Sequence, residues 1–78
     1  MKAKVYVTLK NGVLDPQGTA IAKSLKNIGV DGIKDVRQGK FFELEIDAKV
    51  DVEAQIKQAC ENVLANTVIE NYRYELVA

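Results

Sequence analysis

The chain is 78 residues long, with 47% apolar and 28% charged residues, which is the composition of one small folded domain rather than of a disordered segment. Eleven Lys/Arg balance eleven Asp/Glu, so the formal net charge is zero and the isoelectric point lies near 6.2, against the basic excess of most nucleic-acid-binding domains. A single cysteine, Cys60, excludes an intrachain disulfide, and the lack of histidine removes the commonest acid–base group and the usual ligands of a structural zinc site.

Residues 3–9 alternate: Ala3, Val5, Val7 and Leu9 share one face and Lys4, Tyr6 and Thr8 the other, the period of a half-buried strand. Lys10-Asn11-Gly12 ends it with turn chemistry. Asp15-Pro16 then starts a helix, because Asp15 caps free backbone N–H groups and Pro16 loses no bond at the first helical position. Ile21, Leu25 and Ile28 form its apolar stripe, and Gly29 closes it as a residue free to take positive φ. Gly18 weakens the first turn by ~1 kcal/mol relative to alanine, which suggests that something packs closely against it.

In residues 33–47, Val36, Phe42, Leu44 and Ile46 share one parity, and Arg37, Phe41, Glu43, Glu45 and Asp47 the other. Gln38-Gly39 reads either as a hairpin turn between two strands or as a bulge in one long bent strand, and the preserved parity favours the single strand. Asp51 caps a second helix whose stripe is Val52, Ile56, Ala59, Cys60 and Val63, with Asn66 as a left-handed C-terminal residue. A last strand spans Val68 to Val77. The order implies an α+β two-layer sandwich, βαββαβ-like and of ferredoxin-like kind, with two helices on one face of an antiparallel sheet.

Two helices cover one sheet face, yet Tyr6, Phe41, Ile69 and Val77 place apolar groups on the other parity. A small neutral domain with such a face is expected to self-associate. No apolar run nears the ~18 residues of a membrane helix, and Met1-Lys2-Ala3-Lys4-Val5 is unlike a signal peptide, so a cytoplasmic protein is expected.

Catalytic parts are sparse. Cys60 falls on the buried stripe, where a thiol is inert. Glu43, Glu45 and Asp47 share a strand face and could do acid–base work or hold a hard cation, but a solvated face with Lys or Arg opposite explains them more simply. Asn11-Gly12 and Gly18 beside a helix start suggest a phosphate cradle, which the Asp15 charge opposes. Gly39-Lys40-Phe41-Phe42 is reminiscent of an RNA-stacking strand, a reading opposed by the zero net charge and by Glu43 and Glu45. A ligand-sensing regulatory module is a further alternative. No catalytic, cofactor-binding or metal residue is assigned.

Three stretches go beyond a generic fold: Lys10-Asn11-Gly12-Val13-Leu14-Asp15-Pro16-Gln17-Gly18, then Val36-Arg37-Gln38-Gly39-Lys40, then Leu64-Ala65-Asn66-Thr67-Val68-Ile69-Glu70-Asn71-Tyr72. Together they closely resemble the PurS family, the small subunit of phosphoribosylformylglycinamidine synthase, over nearly all of the chain as a single domain, 1–78. One departure is Thr67, where the family typically carries proline after the asparagine.

The resemblance implies a non-catalytic subunit of a cytosolic complex in de novo purine biosynthesis. A glutaminase (PurQ-type) subunit releases ammonia from glutamine, and a synthetase (PurL-type) subunit uses ATP and magnesium to transfer it to formylglycinamide ribonucleotide. The PurS-like subunit, a dimer or higher oligomer, bridges the two and assists ammonia transfer, binding no cofactor itself. Leu14, Asp15, Gln17, Arg37 and Lys40 are then the candidate subunit-interface residues. Arg37 and Lys40 lead, since folding does not demand exposed charge there. Tyr6, Phe41 and Tyr72 are the candidates for self-association.

Overall fold

A computed structural model describes residues 1–47 and 49–77. Its elements follow in the order β1 (Lys2–Leu9), α1 (Pro16–Asn27), β2 (Gly39–Glu45), α2 (Val52–Ala59), a π-helical turn (Cys60–Leu64) and β3 (Glu70–Val77). The three strands form one antiparallel sheet in the order β2-β1-β3. Val5 lies between Phe42 and Tyr74, and Val7 lies between Lys40 and Tyr72. The alternation along β1 sends Ala3, Val5 and Val7 into the core, all at 0% exposure.

The ambiguous middle stretch is one strand. It begins at Gly39, with neither a hairpin nor a bulge, and Val36 to Gln38 precede it outside the ladder. Gly39 is required by close approach: a Cβ there would stand 2.5 Å from the Val7 carbonyl oxygen. On β2, Phe42 and Leu44 are half-buried while Phe41, Glu43 and Glu45 are exposed, as the parity predicts. The acidic face is solvated and partnered, with Lys2 Nζ 3.3 Å from Glu43.

The core unites β1 with Ile56, Cys60 and Ala65, and Phe42, Leu44, Ile46, Val52, Leu64, Tyr72 and Tyr74 pack around it. Asp51 caps α2 as expected, accepting from the Ala54 N–H. Beyond Ala59 the helix widens, and the Ala65 N–H donates to the Cys60 carbonyl five residues back. The wider turn rotates the stripe, so Leu64 faces the core and Val63, assigned to the stripe by α-helical spacing, is 79% exposed. Asn66 is not left-handed, since no described non-glycine residue has positive φ; the chain leaves the π turn through an extended Ala65 instead. Asn66 opens a turn, its carbonyl accepting from the Ile69 and Glu70 N–H groups, and this delays β3 to Glu70.

The expectation of two helices over one face is met in the core only by α2 and the π turn. No residue of α1 belongs to the core, Gly18 is its one buried residue, and Ile28 is 75% exposed. The molecule is correspondingly long, 51 × 27 × 14 Å, with a radius of gyration of 15.9 Å. A compact chain of this length would have a radius of about 11–12 Å.

Candidate functional site

Three loops meet at the end of the sheet where β1 finishes and β2 and β3 begin. Thr8 pairs with Gly39 and Leu9 with Glu70, and the ladder continues through the Lys10 N–H to the Ile69 carbonyl at 2.9 Å. This register brings together the three motifs, separated by up to sixty residues in sequence.

Asp15 is their hub. Its Oδ1 accepts from the Gly18 N–H at 2.9 Å, capping α1, and its Oδ2 accepts from the Gln38 N–H at 2.9 Å, tying the start of α1 to the residue before β2. Its backbone carbonyl accepts from the Thr19 hydroxyl at 3.1 Å. Asp15 is buried, and its carboxyl is held below the usual carboxylate range by the Gln38 and Gly18 N–H groups, against the opposing effect of burial and with help from the Arg37 charge. Gly18 has the close neighbour expected of it, for a Cβ there would collide with the Val36 carbonyl oxygen.

Arg37 and Lys40 both have partners within the chain. Arg37 Nη2 donates to the Leu9 carbonyl at 3.0 Å and the Lys10 carbonyl at 3.3 Å, clamping the end of β1 while its side chain remains exposed. Lys40 Nζ lies 3.7 Å from Glu70, across β1. Asp15, Gln17, Gln38, Gly39, Lys40 and Glu70 line one shallow recess. Leu14 and Val68 project from the loops at this same end at 80% and 81% exposure.

The structure therefore gathers all five candidate interface residues at one end of the sheet and separates their roles. Asp15 and Arg37 organise the loops; Leu14, Gln17 and Lys40 offer surface. Sequence reasoning did not place Glu70 or Val68 in the site. Their only signal was the third motif itself, because which residue faces Lys40 depends on a register that sequence spacing does not give.

The self-association candidates divide between two faces. Tyr6 and Phe41 form a ring pair on the open face, centroids 5.1 Å apart, with the Arg73 guanidinium 3.9 Å above Tyr6. Tyr72 pairs with Val7 and so lies on the covered face, where its hydroxyl donates to Glu61 at 3.0 Å. Burial, then that hydrogen bond, pushes its phenol up. Cys60 is fully buried, and burial, with the Glu61 charge beside it, pushes its thiol up, leaving a protonated core residue.

A family model described as phosphoribosylformylglycinamidine (FGAM) synthase, PurS, matches residues 2–78. The PurS subunit of Bacillus subtilis is 50% identical over 76 residues, covering 96% of this chain and 90% of its own, and that of Mycobacterium leprae is 54% identical over 71 residues, covering 91% and 89%. The solved structure of Bacillus subtilis PurS superposes with a TM-score of 0.92 at 49% identity, over 99% of this chain and 98% of that one. A chain from the PurLQS structure of Thermotoga maritima gives 0.77 at 28% identity, over 97% and 95%. With the three motifs brought to one end of the sheet and matches running over almost its whole length, the chain belongs to the PurS family.

Proposed function

We propose that this chain is the small bridging subunit of a phosphoribosylformylglycinamidine synthase. It joins a PurL-type synthetase to a PurQ-type glutaminase in purine biosynthesis and acts in the cytoplasm as an oligomer of itself. The family supports the complex. The observation that carries the bridging role is the motif end of the sheet, where Leu14 and Val68 stand exposed beside Gln17 and Lys40 on loops held by Asp15 and Arg37. Exposed apolar groups rimmed by polar ones on a pre-organised scaffold suit a protein partner.

In this reading the chain supplies position rather than chemistry. Asp15 commits both carboxylate oxygens to backbone N–H groups, and Cys60 is buried and protonated, so neither is free to move a proton or attack. ATP and magnesium belong to the synthetase subunit. The RNA-binding alternative gains nothing from the open face, where Phe41 is paired with Tyr6 and Arg73 already covers the Tyr6 ring.

The test is formation of formylglycinamidine ribonucleotide by the two larger subunits, with and without this protein, using glutamine and then ammonium as the nitrogen source. A requirement for this chain confined to the glutamine reaction is the expected result. Equal rates without it in both reactions would reject the bridge.

A further inference from the structure

Residues 16–37 form an arm that leaves the sheet and returns to it at one point, where the Asp15 carboxylate staples Gly18 to Gln38. The helix of this arm has two sides. Ile21, Leu25 and Ile28 fall on one, and Ala22, Lys23 and Lys26 on the other, at about 3.6 residues per turn. Whatever covers the apolar stripe leaves the second side free. Gly29, at φ +91°, and the Val30 N–H, which donates to the Leu25 carbonyl at 3.0 Å, turn the chain back after α1. The returning residues run beside that second side, and Ala22, Lys23, Lys26, Asp31, Ile33 and Lys34 line one groove.

The groove is basic. The arm carries four Lys/Arg and two Asp/Glu, against seven and nine in the remainder of the chain, so a protein of zero net charge has a positive arm. Among the described residues, none of Lys23, Lys26 and Lys34 lies in an ion pair, whereas Lys2, Lys40 and Arg73 each do. Lys26 complements the carboxyl end of α1, but folding supplies no such reason for Lys23 and Lys34. Ile33 lies beside them, 45% exposed. Three ammonium groups around an exposed aliphatic side chain suit a protein surface in which carboxylates flank an apolar residue. A nucleic acid fits less well, because Asp31 and Asp35 in the same stretch oppose a phosphate backbone.

A bridge needs two separate contacts, and the motif end of the sheet supplies one. The twelve residues of α1 span about 18 Å from the Asp15 staple and carry the groove toward the far end of the arm. We propose that this basic groove is the second docking surface of the bridge: it receives an acidic surface of one larger subunit, while the motif end, with Leu14 and Val68, holds the other. The inference rests on the bridging reading above and adds where, and by what chemistry, the second partner is held.

Sedimentation of the full-length chain mixed with both larger subunits tests it. Lys23→Gln, Lys26→Gln and Lys34→Gln together change only exposed side chains. They should weaken the hold on one larger subunit about tenfold or more and leave the other bound. Raised salt should loosen that same subunit, and the three lysines replaced by arginine should retain it. Leu14→Asp with Val68→Asp should release the other subunit. Lys34→Glu alone, outside the helix, should act on the first subunit to a smaller extent, which keeps the test open should the triple variant alter the chain itself.

Unchanged assembly with the glutamine variant and with Lys34→Glu overturns the groove. So does loss of the same subunit through both the lysine and the Leu14/Val68 substitutions, and an equal loss in the arginine variant overturns recognition by charge. An unsubstituted chain that assembles with neither larger subunit overturns the bridging reading itself, and the inference with it.

Discussion

The two helices of this chain are built alike and end differently. Each starts with an aspartate whose side chain accepts from the N–H three residues on, Asp15 from Gly18 and Asp51 from Ala54, and each carries an apolar pair four residues apart, Ile21 and Leu25 in α1 and Val52 and Ile56 in α2. Ile56 on α2 is 1% exposed, whereas Ile28 at the end of α1 is 75% exposed. The connections decide the outcome. A short link from β2 and a π turn into β3 hold α2 over the sheet, whereas the Asp15 staple directs α1 outward. An amphipathic pattern states that a face must be covered; it does not state by which chain.

Substitution in the two helices is the hardest test of that contrast. Ile56→Ala should cost about 2–5 kcal/mol, since it empties a site enclosed by β1 and Cys60. Ile28→Ala should change the stability of the dilute monomer by no more than about 0.5 kcal/mol. Urea denaturation at low protein concentration reads both. Comparable losses would show that α1 packs on its own core after all.

Most of the fold was legible where a local rule acts alone: the alternation of β1, the Asp15-Pro16 start, the Gly29 stop at φ +91° and the Asp51 cap. Reading failed where tertiary contact rules. The π turn moves Val63 out and Leu64 in, and no residue type announces a widened turn. Gly39 was read as a turn or a bulge, but its reason is a carbonyl on the neighbouring strand. The site was legible as three motifs and not as one place, because only the β1–β3 register brings Lys10 to Ile69, and only that register together with the β1–β2 one brings Lys40 within reach of Glu70. Arg37 was read as surplus charge because its acceptors, two backbone carbonyls, cannot be seen in a sequence.

The staple predicts an acid limb. The Asp15 carboxyl titrates below its unfolded value, so its ionised form favours the fold at neutral pH, and that contribution is lost as pH falls below the usual carboxylate range toward its lowered folded value. Asp15→Ala should therefore lower the urea midpoint at pH 7, leaving the Gly18 and Gln38 N–H groups without their acceptor. The loss should shrink as pH drops, because at low pH the unsubstituted protein has also lost its carboxylate. A difference between the two proteins that stays constant from neutral pH to well below the carboxylate range would remove Asp15 as the charged hub. Because the staple also aims α1, the variant should release the arm, and its hydrodynamic radius as a monomer should change with it.

The smallest effect concerns the third loop, and its sign is opposite. Thr67 occupies the second position of the turn closed by the Ile69 N–H on the Asn66 carbonyl, where proline's fixed φ is favoured. Among the described hydrogen bonds none is donated by the Thr67 N–H; the turn is held instead by the Val68 N–H on Asn66 Oδ1 and the Asn66 N–H on Glu70 Oε1. Proline removes no donor that the turn uses and narrows the unfolded ensemble. Thr67→Pro should stabilise the chain by about 0.4–1 kcal/mol, which for a domain of this size is a rise of about 2–8 °C in Tm. The same rigid turn presents Val68, so assembly with the larger subunits should be retained. A lower Tm would mean that Asn66 cannot take the extended conformation a following proline demands.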